Sequence, residues 1–516
     1  MAQQAKEVKS SERGNPLHPA LAESHELDFS IDKTLFDAVL NDERVREWQT
    51  SNDTWQLRFS GSPGCGKTTL SSIIVETLRE KATCVASIYL QQDVTSDETA
   101  FIEDFLWFVY SQLSKHVPDV ASTPNEEEGR RTQYDEYVAA RIVEQPGLHR
   151  TSLIRSALQA IVPSLPKPTF LVVDDIDRCS PETFICIEEE LLQLQHRGVK
   201  IMTTSRIPST GEFWTAAQCD GQECAAKYPR PWIHVYWACE DCMRHDDKDT
   251  RGTTVFCRAC WPGRAECVRC NNTSRFKQPF DRLDFDISHV PDHAMDNFIR
   301  RAIQQEHGDV GLCGPQPTPE DQETSLPLPP FTSNLGLQLL RPNSDMAERV
   351  VRGIVKRAQG NMALAHKRLE LFHRARLVEA FLAPRDRLPA SIVEIFDAGL
   401  RSVEAQASPQ RELGLQAIAI VGRSIDGVPF EQFRRLVREC GVKKGQYDAV
   451  SVEDDKGKDE IRLREVSNAA KGFVIQQNDR RRSPRLMAFH YDFYLYCGQG
   501  YRESIVRANN SLHDVP

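Results

Sequence analysis

The stretch GSPGCGKT at residues 61–68 has the glycine, lysine and threonine spacing of a phosphate-binding loop. Before it, WQLRFS (55–60) alternates apolar and polar residues as a strand does. After it, TTLSSIIVETLRE carries apolar residues at helical spacing from Leu70 to Leu78. A glycine-rich turn between a strand and a helix gathers backbone N–H groups and the positive end of the helix dipole. The context therefore favours a nucleoside triphosphate site over a glycine turn that binds nothing.

Two side chains of this loop carry specific expectations. The Lys67 ammonium is expected to reach the β- and γ-phosphates, and the Thr68 hydroxyl is expected to ligate Mg²⁺. The predicted nucleotide-binding site comprises Gly61, Ser62, Pro63, Gly64, Cys65, Gly66, Lys67, Thr68 and Thr69.

The composition is that of an ordinary globular protein. The chain has 516 residues, of which 40% are hydrophobic and 27% charged, and this length suits about two to four domains. The net charge of −10 argues against a dedicated nucleic-acid grip. The chain also lacks a membrane-spanning apolar run and the apolar core of a secretory signal. The 15 cysteines are therefore interpreted as thiols and metal ligands in a reducing cytoplasm.

A phosphate-binding loop needs a second strand that ends in an acid, which holds Mg²⁺. In TFLVVDDIDRCS, residues 170–173 form the continuous apolar run of a buried parallel strand. Asp174 falls where that strand emerges, so it is the predicted magnesium-coordinating acid. Asp177 is predicted to polarise or order the attacking water. The alternative is that Asp175 and Asp177 cap the next helix together with Ser180, and for Asp175 this alternative is preferred.

Further strands and helices complete the pattern. VKIMTTSR (199–206) predicts a strand whose carboxyl end faces the nucleotide. Arg206 at its end either senses the γ-phosphate or lies on the surface, and the sequence leaves both open. CVASIYLQ (84–91) predicts another strand, while FIEDFLWFVYSQL and SLIRSALQAIV predict amphipathic helices. This alternation predicts an α/β fold with a parallel sheet.

The order of GSPGCGKTTL, SIYLQQD, FLVVDDIDRCS and KIMTTSR resembles the NACHT-type nucleotide-binding domain. It looks most like the fungal members of the signal-transducing (STAND) class of P-loop ATPases. These relatives usually carry LDALDEC at the second acidic motif, whereas Asp175 here replaces a small residue and Arg178 replaces a second acid. The resemblance implies an ATP/ADP-binding core with Mg²⁺, and the departures leave the rate of hydrolysis open.

The resemblance continues beyond the sheet. DISHVPDHAMDNFIRRAI and IVKRAQGNMALAHKRLELF resemble the family's helical subdomain. LPASIVEIFDAGLRSV and LGLQAIAIVGRSIDGVPFEQFRRLV resemble its winged-helix region, and RLMAFHYDFYLY resembles its strand-plus-helix ending. By this resemblance His490 is a candidate for approaching the β-phosphate of bound ADP. The alternative is a surface histidine that opens a helix.

The cysteines form pairs at metal-ligand spacing. CEDC and CRAC are two C-x-x-C hooks, which supply the four thiolates of a structural Zn²⁺ site. The predicted ligands are Cys239, Cys242, Cys257 and Cys260. A third pair, Cys267 and Cys270, leaves a second metal ion open. The flanking sequence resembles a reduced ZZ-type zinc module, which implies a stabilising role and a docking surface.

Five segments are expected along the chain. They are a disordered N-terminus (1–28), a NACHT-type core (29–210), a zinc-binding insertion (211–280), a helical subdomain (281–380) with a flexible Pro-rich loop (313–345), and a winged-helix-like region (381–516).

The leading functional expectation is a nucleotide-dependent switch in intracellular signalling, which slow ATP hydrolysis resets. The resemblance also implies an unidentified protein partner and a homo-oligomer in the ATP state. One alternative is a non-enzymatic scaffold whose zinc insertion docks a partner. Another is an ATP-driven machine acting on DNA, against which the acidic net charge argues.

Overall fold

The computed structural model describes residues 18–24, 33–50, 56–81, 83–94, 98–117, 134–140, 147–206, 217–221, 232–233, 237–239, 254–256, 260, 267, 276–277, 282–312, 332–341, 345–383, 387–439, 463–477 and 484–511. The chain divides into two compact units. The first comprises Met1–Glu26, Leu40–Phe59 and Ser71–Phe285, and the second comprises Leu27–Val39, Ser60–Leu70 and Asp286–Pro516.

A mixed six-stranded sheet forms the centre of the first unit. Its strands are β1 (Leu21–Ala22), β2 (Gln56–Ser60), β3 (Cys84–Leu90), β4 (Thr169–Asp174), β5 (Val199–Ser205) and β11 (Arg282–Asp286). Their order in the sheet is β1-β3-β4-β5-β2-β11. The strands β3, β4 and β5 pair in parallel, and β1 joins β3 as an antiparallel edge. The strands β2 to β5 are wholly buried, as strands covered on both faces are.

The strand order determines which residues meet at the carboxyl edge of the sheet. The strand β5 lies between β4, which ends at Asp174, and β2, which leads into residues 61–68. Because parallel strands present their carboxyl ends at one edge, the residues after β4 and β5 meet there. The predicted α/β fold and the predicted strands at the loop, at the acid and at residues 199–206 are confirmed.

Helices alternate with these strands along the chain. They are α1 (Asp37–Leu40), α2 (Glu43–Thr50), α3 (Lys67–Glu80), α4 (Glu98–Leu113), α5 (Gly147–Ile161) and α6 (Pro181–Gln195). Phe101 and Phe105 of α4, Leu158 of α5 and Ile187 of α6 join one apolar core with residues of β3 and β4. The amphipathic patterns of α4 and α5 therefore arise because one face of each helix covers the sheet. None of the described helices is both long and apolar enough to cross a membrane.

The cysteine-rich segment contributes only short described strands. They are β6 (Ala217–Gln218), β7 (Trp232–Ile233), β8 (Trp237–Cys239), β9 (Val255–Phe256) and β10 (Phe276–Lys277). The strand β6 pairs with β7, and β8 lies between β10 and β9. All of these pairings are antiparallel.

The part of the second unit after residue 285 begins with a group of helices. They are α7 (Asp292–His307), α8 (Asn334–Leu339), α9 (Met346–Ala358), α10 (Met362–His373) and α11 (Val378–Leu382). The buried stripe of α9 includes Val350, Val351 and Ile354, at the spacing of one helical face. Its C-terminus turns through Gln359 and Gly360, both at positive φ, directly into Asn361, the N-cap of α10.

The C-terminal part combines helices with a small sheet. The helices are α12 (Ala390–Glu404), α13 (Ser408–Val421), α14 (Phe430–Glu439), α15 (Leu463–Ala469), α16 (Tyr491–Gly498) and α17 (Glu503–Ser511). The strands β12 (Val428–Pro429), β13 (Val474–Gln477) and β14 (Arg485–Ala488) form an antiparallel sheet in the order β12-β14-β13. An aromatic core that includes Phe396, Phe473 and Phe493 holds these elements together.

Two segments differ from the sequence-based expectation. Residues 18–24 fall within the expected disordered N-terminus, yet Leu21–Ala22 pair with β3 and Ala20 is fully buried. Residues 334–339 fall within the expected flexible loop, yet they form α8, because Ser333 caps the helix at Gly336 and Leu335 and Leu339 are buried. Both segments are too short for a periodic pattern to show. The other residues of 1–28 and of 313–345 that those predictions covered lie largely outside the described residues.

Candidate nucleotide-binding site

The loop at residues 61–68 has a backbone that only glycine adopts readily. Gly64 and Gly66 have φ values of +80° and +96°, a region that side chains with a Cβ rarely occupy. The loop ends at Lys67, where α3 begins, so the helix N-terminus and its backbone N–H groups follow directly. The strand, glycine turn and helix inferred from the sequence are therefore present as one continuous element.

The Lys67 side chain folds back into this loop. It is 6% exposed, and its Nζ donates to the carbonyl oxygens of Gly61 at 3.0 Å and Ser62 at 3.2 Å. The sulfur of Cys65 lies 3.9 Å from the same nitrogen. The ammonium is thus held by neutral acceptors, which a phosphate oxygen could replace with a stronger, charge-assisted partner.

The N-terminus of α10 lies against the same loop. The Asn361 side chain donates from Nδ2 to the Pro63 carbonyl at 2.8 Å and accepts from the Leu364 N–H. It therefore caps α10 and at the same time connects this helix to the loop. The Ala363 N–H donates to the Gly64 carbonyl at 2.9 Å. The bond from Asn361 to Pro63 joins two parts of the second unit that are 298 residues apart in the chain, and no sequence pattern predicts it.

Gly66 lies under an apolar cover. A Cβ built at Gly66 would be 2.5 Å from the Met362 sulfur and 2.9 Å from the Phe36 ring. At Gly64 a Cβ would be 2.8 Å from Asn361 Oδ1. Both glycines are therefore required twice, for their positive φ and for the close approach of α10 and Phe36.

Asp174 lies in a hydroxyl network at the end of β4. Its Oδ1 accepts from Ser71 Oγ at 2.8 Å and from Thr204 Oγ1 at 2.7 Å, and the carboxylate is 2% exposed. Ser71 lies one helical turn after Thr68 on α3, and Thr204 lies on β5. Hydroxyl donors stabilise a buried carboxylate, so the expected magnesium-coordinating acid is held in a fixed orientation.

Asp177 and Arg206 form a buried ion pair. Asp177 Oδ2 accepts from Arg206 Nε at 2.7 Å, and Asp177 Oδ1 accepts from the Arg206 backbone N–H at 2.8 Å. Burial lowers the pKa of Arg206, but the carboxylates of Asp177, Asp175 and Asp93 outweigh it and raise that pKa above its usual value. Of the two possibilities for Arg206, a surface position is excluded, because the residue is 8% exposed.

Asp175 takes a different role from the one preferred on sequence grounds. The cap of α6 is Ser180, whose hydroxyl accepts from the Thr183 N–H at 3.1 Å. Asp175 instead has φ 55° and accepts from Arg178 Nε at 3.0 Å. The prediction that Asp175 caps the helix is wrong, because four residues separate it from Ser180 and its carboxylate accepts from Arg178 within the intervening turn.

His490 is buried, and both of its ring nitrogens contact backbone groups. Its Nδ1 accepts from the Asp492 N–H at 3.0 Å, which caps α16, and its Nε2 lies 3.0 Å from the Ala358 carbonyl. Burial lowers the pKa of His490. The histidine therefore opens a helix, as the alternative held, but it lies in the interior at the end of α9. Its expected approach to a β-phosphate stays a prediction.

The donor set suits a magnesium nucleotide. The loop offers a helix N-terminus, an ammonium and the Thr68 hydroxyl, and α3 continues from it to the Ser71 contact with Asp174. Hydroxyl and carboxylate oxygens are the ligands that Mg²⁺ prefers. The roles of Lys67, Thr68, Thr69 and Asp174 stay predictions.

Four cysteines of the cysteine-rich segment lie among the described residues. Cys219, Cys239 and Cys267 are fully buried, and Cys260 is partly exposed. The other predicted zinc ligands, Cys242, Cys257 and Cys270, lie outside the described residues. Within the described part of the chain, no three His, Cys, Asp or Glu side chains converge on a metal position. The predicted four-cysteine zinc site therefore stays a prediction.

Ser71, Thr204 and Asn361 are not among the predicted site residues. Ser71 and Thr204 lie within the sequence motifs of the site, and the position of Ser71 one helical turn after Thr68 is a signal by which it could be found. Asn361 had no such signal, because only the tertiary fold brings α10 to the loop.

A protein-family model matches the part of the chain that contains this site. The model described as "Nephrocystin 3, N-terminal" matches residues 35–206, one third of the chain, a range that includes the loop at residues 61–68 and β5. No curated protein matches the chain.

Solved structures give a more distant likeness. The Aeropyrum pernix ORC2 protein, in ADPNP–ADP complexes, is 11% identical, with 96% of this chain and 95% of that chain covered and a TM-score of 0.31. The Aeropyrum pernix ORC1 protein, in complex with DNA, is 10% identical, with 93% and 96% covered and a TM-score of 0.32. C. elegans PCH-2 is 12% identical, with 71% and 73% covered and a TM-score of 0.29. The chain's own geometry identifies the architecture. The loop that joins β2 to α3, together with a β4 strand that ends in an acid, has the arrangement of a P-loop NTPase fold.

Proposed function

We propose that this chain is an ATP/ADP-dependent conformational switch of the NACHT type, with slow ATP hydrolysis, in cytoplasmic signalling. The observation that carries the proposal is the loop at residues 61–68. Two left-handed glycines, a helix N-terminus and the inward-facing Lys67 ammonium provide the groups that bind a polyphosphate. Thr68 and Asp174 would hold the Mg²⁺, which neutralises charge on the phosphate oxygens when bound.

The contact between α10 and the loop supports a switch rather than a static site. Asn361 binds the Pro63 carbonyl, and the turn that precedes it carries the Ala358 carbonyl, which lies against His490. Asp492 forms a buried ion pair with Arg368 of α10. A change at the loop therefore has a continuous set of contacts, all within the second unit, by which to reach the C-terminal helices.

Slow turnover follows from the Asp177–Arg206 pair. Asp177 accepts two hydrogen bonds from Arg206, so the carboxylate that would order the water is already engaged. Arg206 would have to leave Asp177 to contact a γ-phosphate, which costs the ion pair. In the switch, the charge of the triphosphate provides the compensating partner. An ATP-state homo-oligomer and an unidentified protein partner belong to the same proposal.

The direct test is nucleotide binding by the Lys67→Ala variant. The wild-type chain is expected to bind ATP and ADP in the presence of Mg²⁺, and Lys67→Ala is expected to lose at least about 100-fold in affinity, because the charge-assisted contacts to phosphate are lost. Calorimetric titration measures this. Lys81→Ala is the matched control, since Lys81 is an exposed lysine bound to Gln49. Unchanged affinity in Lys67→Ala would defeat the proposal.

A non-enzymatic scaffold is the second candidate, and the engaged state of Asp177 favours it. Both candidates include zinc bound by the cysteine-rich segment, which the buried thiols support. Multiple-turnover phosphate release separates them, because a scaffold binds nucleotide without releasing phosphate even at high protein concentration. ADP retained through purification favours the switch, whereas hydrolysis stimulated by DNA points to a DNA-dependent machine.

A further inference from the structure

Cys219 and Cys260 of the cysteine-rich segment lie beside the same glycine. A Cβ built at Gly221 would be 2.6 Å from Cys260 Sγ and 3.3 Å from Cys219 Sγ. The two sulfur atoms therefore lie within about 6 Å of each other, and two thiolates on one tetrahedral Zn²⁺, with Zn–S distances of about 2.3 Å, are about 4 Å apart. The C-x-x-C spacing predicts instead that Cys260 binds the same zinc ion as Cys239.

The surroundings of Cys219 suit a thiolate. The Gly221 N–H donates to Cys219 Sγ at 3.3 Å, and the sulfur is fully buried. A buried thiolate needs both hydrogen-bond donors and a cation, and metal-bound sulfur receives backbone N–H groups in this way. No described cysteine forms a disulfide. Gly221 is required here because any side chain would displace the Cys260 sulfur.

Hydrogen bonds attach the residue after Cys219 to β9. The Asp220 N–H donates to the Val255 carbonyl at 2.7 Å, and the Val255 N–H donates to Asp220 Oδ2 at 2.9 Å. These bonds hold residues 219–221 at one edge of β9, and Cys260 follows β9 by four residues in the chain.

The other two described cysteines of the segment both lie beside Thr254, the residue before β9. The Cys239 N–H donates to the Thr254 carbonyl at 3.1 Å, and Thr254 Oγ1 lies 3.0 Å from Cys267 Sγ. The register of β8 with β9 continues to Cys239 opposite Thr254, and residues opposite each other in an antiparallel pair direct their side chains to the same face. Cys239 and Cys267 therefore both lie at Thr254, whereas residues 219–221 are bound to the other edge of β9.

We propose that Cys219 and Cys260 bind one zinc ion together, and that Cys239 and Cys267 belong to a second, separate zinc centre. This inference rests on the proposed binding of zinc by the segment. It replaces Cys239 by Cys219 as the partner of Cys260, and it assigns two ions to the chain rather than one.

The first experiment measures zinc per chain in freshly reduced full-length protein by elemental analysis. Cys219→Ser and Cys260→Ser are each expected to lose one equivalent, and their double variant is expected to lose that same single equivalent. Cys219→Ser combined with Cys239→Ser is expected to lose two. Cys186→Ser, a change at an exposed cysteine of α6, is the control and should lose none.

The outcomes separate the two levels of the proposal. Wild-type protein without zinc overturns zinc binding itself. Zinc that is present but unaffected by Cys219→Ser, or a double Cys219/Cys260 variant that loses two equivalents, overturns only the pairing.

A second measurement avoids variants that fail to fold. Wild-type protein is titrated with a chelator, alkylated and analysed by mass spectrometry. Cys219 and Cys260 are expected to become labelled at one common chelator concentration, and Cys239 and Cys267 at another. Labelling of Cys260 together with Cys239, at a step distinct from that of Cys219, overturns the pairing.

Discussion

The carboxyl edge of β4 and β5 and the loop at residues 61–68 both gather polar groups, but they hold them by different means. At the edge, Asp177 and Arg206 neutralise each other's charge in a buried ion pair. In the loop, the Lys67 ammonium is held by neutral carbonyl oxygens, and Asn361 adds an amide contact. The first arrangement is costly to disturb, whereas the second can exchange its partners.

This difference shows where a ligand can replace existing contacts at a small cost in free energy. Removing one member of a buried ion pair leaves a charge without compensation and costs about 3–5 kcal/mol, whereas a hydrogen bond from an ammonium to a neutral carbonyl contributes about 1.5–3 kcal/mol. A phosphate can therefore displace the loop carbonyls readily. Only a ligand that itself carries charge, such as a γ-phosphate, can draw Arg206 away from Asp177.

The sharpest test of the comparison is Asp177→Ala. This change leaves the Arg206 guanidinium buried without its main counter-charge, so the free energy of unfolding should fall by about 3–5 kcal/mol. Urea denaturation followed by circular dichroism measures it. Glu503→Ala removes an exposed partner of Arg507 and serves as the control, with a change of at most about 0.5 kcal/mol. Equal effects of the two changes would remove the distinction between the regions.

Acid is expected to destabilise the second unit, because two histidines in contact there have lowered pKa values and are neutral near pH 7. His307 Nε2 lies 2.9 Å from His373 Nδ1, and burial, followed by the neighbouring His307, lowers the pKa of His373 to about 4. Since this value lies below that of an unfolded histidine, the pair contributes its full stability above about pH 6.5. That contribution is lost as the pH falls to about 4, and the loss is about 2–3 kcal/mol.

Unfolding by urea between pH 7 and pH 4 measures this loss. His373→Gln should flatten the dependence on pH, whereas His116→Gln, at an exposed position, should not. An acid slope in His373→Gln as steep as that of the wild type would show that other groups cause the acid sensitivity.

A smaller effect is expected at the contact between α10 and the loop. Asn361→Ala removes both the cap of α10 and the bond to the Pro63 carbonyl, so unfolding should become easier by about 1–2 kcal/mol. Asn361→Asp keeps a capping oxygen but loses the amide donor, and it should recover about half of the loss. If Asn361→Asp is no more stable than Asn361→Ala, the cap contributes nothing.

The smallest effect on stability is expected for Lys67→Ala. The variant loses the bonds to the carbonyl oxygens of its own loop, but it also removes the cost of burying the ammonium, so the free energy of unfolding should change by about 1 kcal/mol or less. The same variant is expected to lose nucleotide binding. Thermal denaturation without nucleotide checks the first expectation, and a loss comparable to that of Asp177→Ala would contradict the comparison.

Much of the core could be predicted because local signals and tertiary structure agree there. The glycines and Lys67 of the loop, the apolar run before Asp174 and the helix that Ser180 caps each carry a signal within about ten residues. The prediction that Asp175 caps α6 is wrong for a physical reason. An acid a few residues before a helix is a common cap, but the turn at Asp175 directs its carboxylate to Arg178, and Ser180 is closer to the helix.

The partners of the site residues could not be predicted, since each depends on a contact between distant parts of the chain. Asp174 meets Thr204, 30 residues away, because β5 lies beside β4. Asp177 meets Arg206 for the same reason. The sequence shows which residue types are available at the strand ends, but it does not show which strands are neighbours in the sheet.

The sequence by itself determined that a phosphate-binding loop joins a strand to a helix, because positive φ, apolar alternation and helix start are properties of short segments. The tertiary structure alone decided that Arg206 is paired with Asp177, that Asn361 lies on the loop and that Cys260 lies beside Cys219. These are contacts across 29, 298 and 41 residues of chain. Closing loops of that length costs conformational entropy, which packing between distant elements offsets, and no local pattern encodes that packing.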